Sequence, residues 1–156
     1  MCSRELDYSG WRWCGVVVLL ALFGAAAPAQ GPEASTQRGS RIVTDADVAT
    51  KQPGTHGGGG MTTGYLFFED VRDMAFYFRK RALHPGSGIG YHQQEQDEVY
   101  YVLSGTGDYT LDGKTVRVEA GTALLTRKGS SHGLKQVGKD DLVIIITYPR
   151  TTVEAR

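Results

Sequence analysis

The stretch Gly86–Gly105 reads G-S-G-I-G-Y-H-Q-Q-E-Q-D-E-V-Y-Y-V-L-S-G. Its chemistry-bearing residues are His92, Gln94 and Glu98, bounded by glycines. Side chains alternate across a strand, so His92 and Gln94, two apart, share a face and can converge on one point. A short turn and a second strand then deliver Glu98 to the same place. Further on, Gly121, Arg127, Gly129 and His132 form a second group. Two imidazoles, a carboxylate and an amide oxygen make a donor set suited to a divalent metal.

These two segments resemble the paired motifs of the cupin family, G-x5-H-x-H-x3/4-E-x6-G and G-x5-P-x-G-x2-H-x3-N. Gly86, His92, Glu98 and Gly105 match the first; Gly121, Gly129 and His132 match the second. Gln94 stands where the family usually has its second histidine, Arg127 where it has proline, and Gln136 where it has the terminal asparagine. The resemblance covers Arg79 to Tyr148. It implies a single-domain jelly-roll barrel, one divalent ion held by His92, Gln94, Glu98 and His132, and a homodimer, which an open sheet edge also invites. It does not imply a reaction, because one fold hosts many chemistries and some members only bind. For Gln94 two roles stand open: its amide oxygen ligates the ion, or it hydrogen-bonds a metal-bound water or substrate.

The rest of the chain agrees with an all-β fold. Twenty-one glycines and many short runs of valine, isoleucine, threonine and tyrosine point to strands and tight turns. The expected strands are Tyr65–Phe68, Ala75–Leu83, Ile89–Gln94, Glu98–Ser104, Tyr109–Leu111, Thr115–Val118, Thr122–Thr126 and Leu142–Tyr148. Asp112-Gly113 between two of them is a hairpin signal, since both residues tolerate positive φ. The run Leu142–Tyr148, with Val143 and three isoleucines, reads as a strand covered on both sides. From pattern alone an up-and-down barrel is the alternative to a jelly roll.

The chain's 156 residues carry 17 basic and 17 acidic side chains, so no net field draws it to nucleic acid. Residues 1–29 have the form of a signal peptide: Arg4 and Arg12 precede an apolar run from Gly15 to Ala27, and Ala27-Pro28-Ala29 forms a cleavage signature. The run is too short for a spanning anchor. Cleavage removes Cys2 and Cys14 and leaves an exported protein, periplasmic or secreted, without thiols or a membrane anchor. Residues 30–64 are expected to be a flexible leader and glycine-rich connector, 65–149 the barrel, and 150–156 a tail.

Around the metal donors, Tyr100 and Val102 share Glu98's strand face and are expected to line the pocket. Arg127 reads as an ordinary exposed arginine or, near the barrel mouth, as a carboxylate contact. Glu95 and Asp97 read as solvated charges, His84 as a strand-end residue, and His56 as a pocket cap only if the glycine loop folds over. Gly129-Ser130-Ser131-His132-Gly133 matches G-x-S-x-G, but no strand-to-helix turn supports a nucleophile there. The glycines 86, 88 and 90 fail the dinucleotide fingerprint at Tyr91.

The donor set suits Fe, Mn, Ni or Zn alike. A divalent ion with one carboxylate carries about +1 and favours a small anionic guest. Turnover by an oxygenase, decarboxylase, isomerase or lyase, and capture without chemistry, both remain open.

Overall fold

The computed structural model describes residues 39–150. The expected signal peptide, the first part of the leader and residues 151–156 lie outside the described residues. A single turn of helix, α1 (Asp45–Val48), precedes the strands β1 (Ala49–Pro53), β2 (Met61–Phe67), β3 (Phe76–Leu83), β4 (Gly88–Gln93) and β5 (Glu98–Ser104). They are followed by β6 (Thr106–Leu111), β7 (Lys114–Glu119), β8 (Ala123–Thr126), β9 (Ser131–Val137) and β10 (Leu142–Pro149).

The strands form two antiparallel sheets, one in the order β1-β2-β3-β10-β5-β8 and one in the order β4-β9-β6-β7. In both, a late strand is inserted between earlier ones, β10 between β3 and β5 and β9 between β4 and β6. An up-and-down meander would keep sequential neighbours together, so this order is that of a jelly roll.

Inward-facing residues of both sheets meet in one core: Leu83, Ile89, Tyr100, Val102, Tyr109, Val118, Leu134, Leu142, Ile144 and Ile146. Fully burying an aliphatic side chain of this size contributes about 1.5–3 kcal/mol. The four bounding glycines of the two motifs, Gly86, Gly105, Gly121 and Gly129, all have φ between 80° and 90°, where a Cβ would be strained. The Asp112-Gly113 turn takes positive φ at both positions and joins β6 to β7 at Leu111 and Lys114, as a type I′ hairpin requires.

The structure corrects the sequence reading at three places. The sheet begins earlier than residue 65, because β1 pairs with β2 from Ala49↔Tyr65 to Pro53↔Met61. Beside it, the glycine-rich connector is packed against β4. A Cβ on Gly58 would stand 2.2 Å from the Gly88 carbonyl oxygen, so only glycine lets the loop lie against β4. Residues Ser131–Val137 form a strand, β9, that pairs with both β4 and β6; its polar and glycine-bearing start hid that role. Finally, β10 buries one face only: Leu142, Ile144 and Ile146 are buried while Val143 and Ile145 are partly exposed.

Candidate metal centre

His92 reaches the interior through a bulge. Ile89 pairs with Leu134 and His92 pairs with His132, so three steps along β4 match two along β9. With strict alternation, Ile89 and His92 would face opposite ways. The extra residue at Gly90-Tyr91 turns both inward and leaves Tyr91 exposed, which is how bulges re-aim side chains. His132 faces His92 from the neighbouring strand, their ring centroids 4.9 Å apart. Glu98 opens β5 in the opposite sheet and is buried.

These groups converge on a single atom, the amide nitrogen of Gln94. Gln94 Nε2 lies 2.7 Å from Glu98 Oε2, 2.8 Å from His132 Nε2 and 3.2 Å from His92 Nε2. His132 Nε2 is in turn 3.2 Å from Glu98 Oε2.

The far sides of both rings are held by hydrogen bonds, and for His92 the partner fixes the tautomer. His92 Nδ1 is 2.8 Å from the Gly90 carbonyl, which only accepts, so Nδ1 carries the proton and Nε2 presents a lone pair. His132 Nδ1 is 2.7 Å from Thr126 Oγ1. Thr126 is buried and also meets the Tyr109 hydroxyl; its hydroxyl accepts from Nδ1–H in the tautomer that leaves Nε2 with a lone pair, and donates to Nδ1 in the other. Such outward hydrogen bonds are the supports that orient ligating imidazoles.

Among the described residues, no three imidazole, thiol or carboxylate side chains are drawn together closely enough to hold an ion by themselves. Gln94 completes the set, and its chemistry shows what the set fits. An amide nitrogen has two protons, and with both rings protonated at Nδ1 it faces three lone-pair acceptors. One acceptor is left without a partner, and a buried acceptor left so costs about 1–3 kcal/mol. A cation satisfies all three, so the donors fit a metal ion better than they fit the amide nitrogen.

The site opens into a cleft of about 460 Å³ lined by His56, His92, Gln94, Glu95, Glu98 and Tyr148 among others. Behind it lies a recess of about 100 Å³ that shares His56, His92, Glu98 and Tyr148 with the cleft and adds Arg79, Arg81 and Tyr100. Tyr100 thus lines that recess together with His92 and Glu98. Burial, reinforced by the Glu98 carboxylate, holds its phenol protonated well above the usual tyrosine range.

Val102 does not line the site. It is fully buried in the core cluster, because two residues beyond Tyr100 the strand has left the cavity. Arg127 is also elsewhere: it is exposed and donates from Nε to Asp97 at 3.0 Å. Asp97 also accepts from the Lys128 amide at 2.9 Å, and that bond, with Arg127, holds its carboxyl below the ordinary range. His84 ties strand ends, with Nδ1 3.0 Å from Asp141 and Nε2 2.9 Å from Thr63. Gln136 accepts from the Gly86 amide at 2.9 Å and donates to the Gly138 and Asp140 carbonyls, fastening the first motif to the turn after β9.

Sequence reasoning put His56 over the pocket only on condition that the glycine loop fold over it, and did not place Arg79, Arg81 or Tyr148 there. The loop does fold over, and the His56 ring stacks on His92 at 3.5 Å and 6°. Burial, then the neighbouring His92, pushes the His56 pKa down. Arg81 had a usable signal: in β3 it lies two residues from the fully buried Leu83 and so shares its inward face.

Comparison with known proteins agrees with this geometry. Residues 80–148 match the cupin domain family model. The barrel is a cupin domain. Among curated proteins, the cupin is 37% identical over 75 residues to an oxalate-binding protein of Thermotoga maritima, covering 47% of this chain and 62% of that protein. The chain thus spans less than two thirds of that relative's length. Among solved structures, a predicted oxalate decarboxylase from Thermotoga maritima is similar at 28% identity and a TM-score of 0.63, over 69% of this chain and 97% of that one. The polyketide cyclase RemF from Streptomyces resistomycificus shares the fold at 22% identity and a TM-score of 0.59, over 70% of this chain and 79% of that one.

Proposed function

We propose that this cupin binds one divalent metal ion and, at that ion, a small carboxylic acid. The carrying observation is the convergence of His92 Nε2, His132 Nε2 and Glu98 Oε2 on one amide nitrogen that has too few protons for them. His92, His132 and Glu98 would hold the ion, and the Gln94 amide would offer its oxygen in place of its nitrogen. The ion would supply Lewis acidity at its open positions. Fe, Mn, Ni and Zn all suit the donors.

A divalent ion beside one carboxylate leaves about +1 in a partly desolvated cleft, which favours an anion over a neutral sugar. The oxalate-binding relative supports the same guest class. Calorimetry on the metal-loaded protein tests this. Small dicarboxylates and 2-oxo or hydroxy acids should bind more tightly than neutral sugars, and the reverse order overturns the proposal.

A second reading, turnover of the acid rather than its capture, draws support from the likeness to the predicted oxalate decarboxylase. Release of carbon dioxide or a new product during incubation with the bound acid would select it.

The protein is further proposed to be exported after cleavage at Ala29 and to act as a homodimer. The outer face of β5 supports pairing: Val99, Tyr101 and Leu103 are exposed there beside Leu125 of β8. Intact mass of the exported chain and light scattering at micromolar concentration test these two points. A retained Trp11–Trp13 region refutes the first, and a monomer refutes the second.

A further inference from the structure

Arg81 is buried, with 7% of its surface exposed. A buried guanidinium is normally neutralised by a carboxylate, since an unpaired charge is costly to remove from water. Among the described residues no carboxylate stands within ion-pairing distance of Arg81. Glu98 attracts it across the recess, but Glu98 Oε2 is turned to Gln94 and His132.

The partners Arg81 does have are neutral. Its Nη1 donates to Thr62 Oγ1 at 3.1 Å. With its oxygen turned to the guanidinium, the Gln52 amide accepts from Nη1 at 2.7 Å and Nη2 at 3.0 Å. Arg81 Nε is buried and has no partner.

Thr62 and Gln52 therefore hold one end of the guanidinium in place and leave the charge uncompensated. Arg79, the other arginine of the recess, is already paired with Glu69 through Nε at 2.6 Å. The Arg81 side chain lines the same recess as His92 and Glu98. That recess, about 100 Å³, has roughly the liquid volume of three waters. It has room for a carboxylate group and none for a sugar ring.

We propose that Arg81 is the anion anchor of the site: one carboxylate of the bound acid enters the recess and pairs with the Arg81 guanidinium, while the rest of the acid faces the metal donors and the outer cleft. This inference rests on the proposed function and deepens it, since it places the second recognition point on β3 rather than at Arg127. It narrows the guest to acids short enough to span the recess and the donor cluster, with a free carboxylate at the inner end. The guanidinium matches a carboxylate with two parallel hydrogen bonds, which a lysine ammonium cannot reproduce.

The test is calorimetric titration of the Mn(II)-loaded protein with oxalate, alongside Arg81→Met and Arg81→Lys and a measurement of bound Mn(II) in each. Arg81→Met should weaken oxalate at least tenfold with Mn(II) content unchanged, and Arg81→Lys should fall between it and the wild type. Should the methionine variant fail to fold, the lysine variant carries the test, with oxalate weakened at least threefold and Mn(II) content unchanged. Wild-type oxalate affinity in the folded variants overturns the role of Arg81 and leaves the metal-and-acid reading intact, as does a loss of Mn(II) together with oxalate. Wild-type protein that binds Mn(II) but no oxalate or other small acid overturns both.

Discussion

Replacing Gly90 by alanine probes the contact that brings His56 into the site. A Cβ on Gly90 would lie 1.9 Å from the His56 carbonyl oxygen, 2.7 Å from its carbonyl carbon and 3.0 Å from the Gly58 amide nitrogen. Ordinary contact begins near 3.4 Å, so the loop must retreat by about 1.5 Å, the difference between 3.4 and 1.9. The atoms in the way are backbone and cannot rotate aside. Gly90 is absent from the positive-φ residues, so alanine meets no strain of its own and steric displacement dominates.

Overpacking of this kind costs about 1–3 kcal/mol. Relief of glycine's extra chain entropy returns roughly 0.5–1 kcal/mol. From the middle of each range the net loss should be about 1 kcal/mol, which for a domain of this size lowers Tm by roughly 3–6 °C. Urea or thermal melts of the purified variant measure the loss. Histidine ring NMR measures the geometry, since the His56 protons lose the ring-current shift of a 3.5 Å stack on His92. An unchanged melting midpoint together with unmoved His56 resonances would refute the close packing of the loop on β4.

Three further outcomes follow from the geometry. Thr126→Val removes the oxygen that meets His132 Nδ1 at 2.7 Å and should weaken metal binding about 10–100-fold, as losses of such supports do; unchanged affinity in a metal titration would show that Tyr109 alone suffices. Arg127→Ala should leave acid binding unaltered, because Arg127 pairs with Asp97 away from the cleft, and weakened binding by calorimetry would restore it as a contact. Asp47, Asp70 and Asp97 are all held below the ordinary carboxylate range, Asp70 at about 2. Their contribution is therefore present above pH 4, the unfolded value, and is lost as pH falls through the folded ones. Thermal melts should show Tm falling between about pH 4 and 2, and the gap between wild type and Asp97→Asn narrowing over that window; a gap constant with pH would contradict the sign.

The parts of the site legible in the sequence are those set by local spacing. His92, Gln94, Glu98 and His132 were readable because the turn glycines and the period of a strand fix where each side chain points. The bulge at Gly90-Tyr91 was not readable, since Ile89 and His92 share the interior only after one residue is looped out. Between the two readings of Arg127 the sequence could not choose for a related reason: its position in the motif was visible but its ion pair with Asp97, thirty residues away, was not. His56 enters through contacts of glycine backbone with β4, for which the sequence carries no periodic signal. Arg81 was accessible from the alternation of β3, where a charge two residues from a core leucine marks an inward-facing arginine. The strand β9 was obscured by Ser131 and Gly133, residues that locally favour turns, and is held instead by pairing on both edges.

The central claim is that the space between His92, His132, Glu98 and the Gln94 amide is a metal position. Metal analysis after equilibrium dialysis against Mn(II) or Zn(II), on folded wild type and on the double variant His92→Ala, His132→Ala, tests it most directly. The expected result is about one ion per chain in the wild type and a sharp loss in the double variant, with Gln94→His retaining or tightening the ion because imidazole is a stronger donor than an amide. Equal metal content in the wild type and the double variant would contradict the claim.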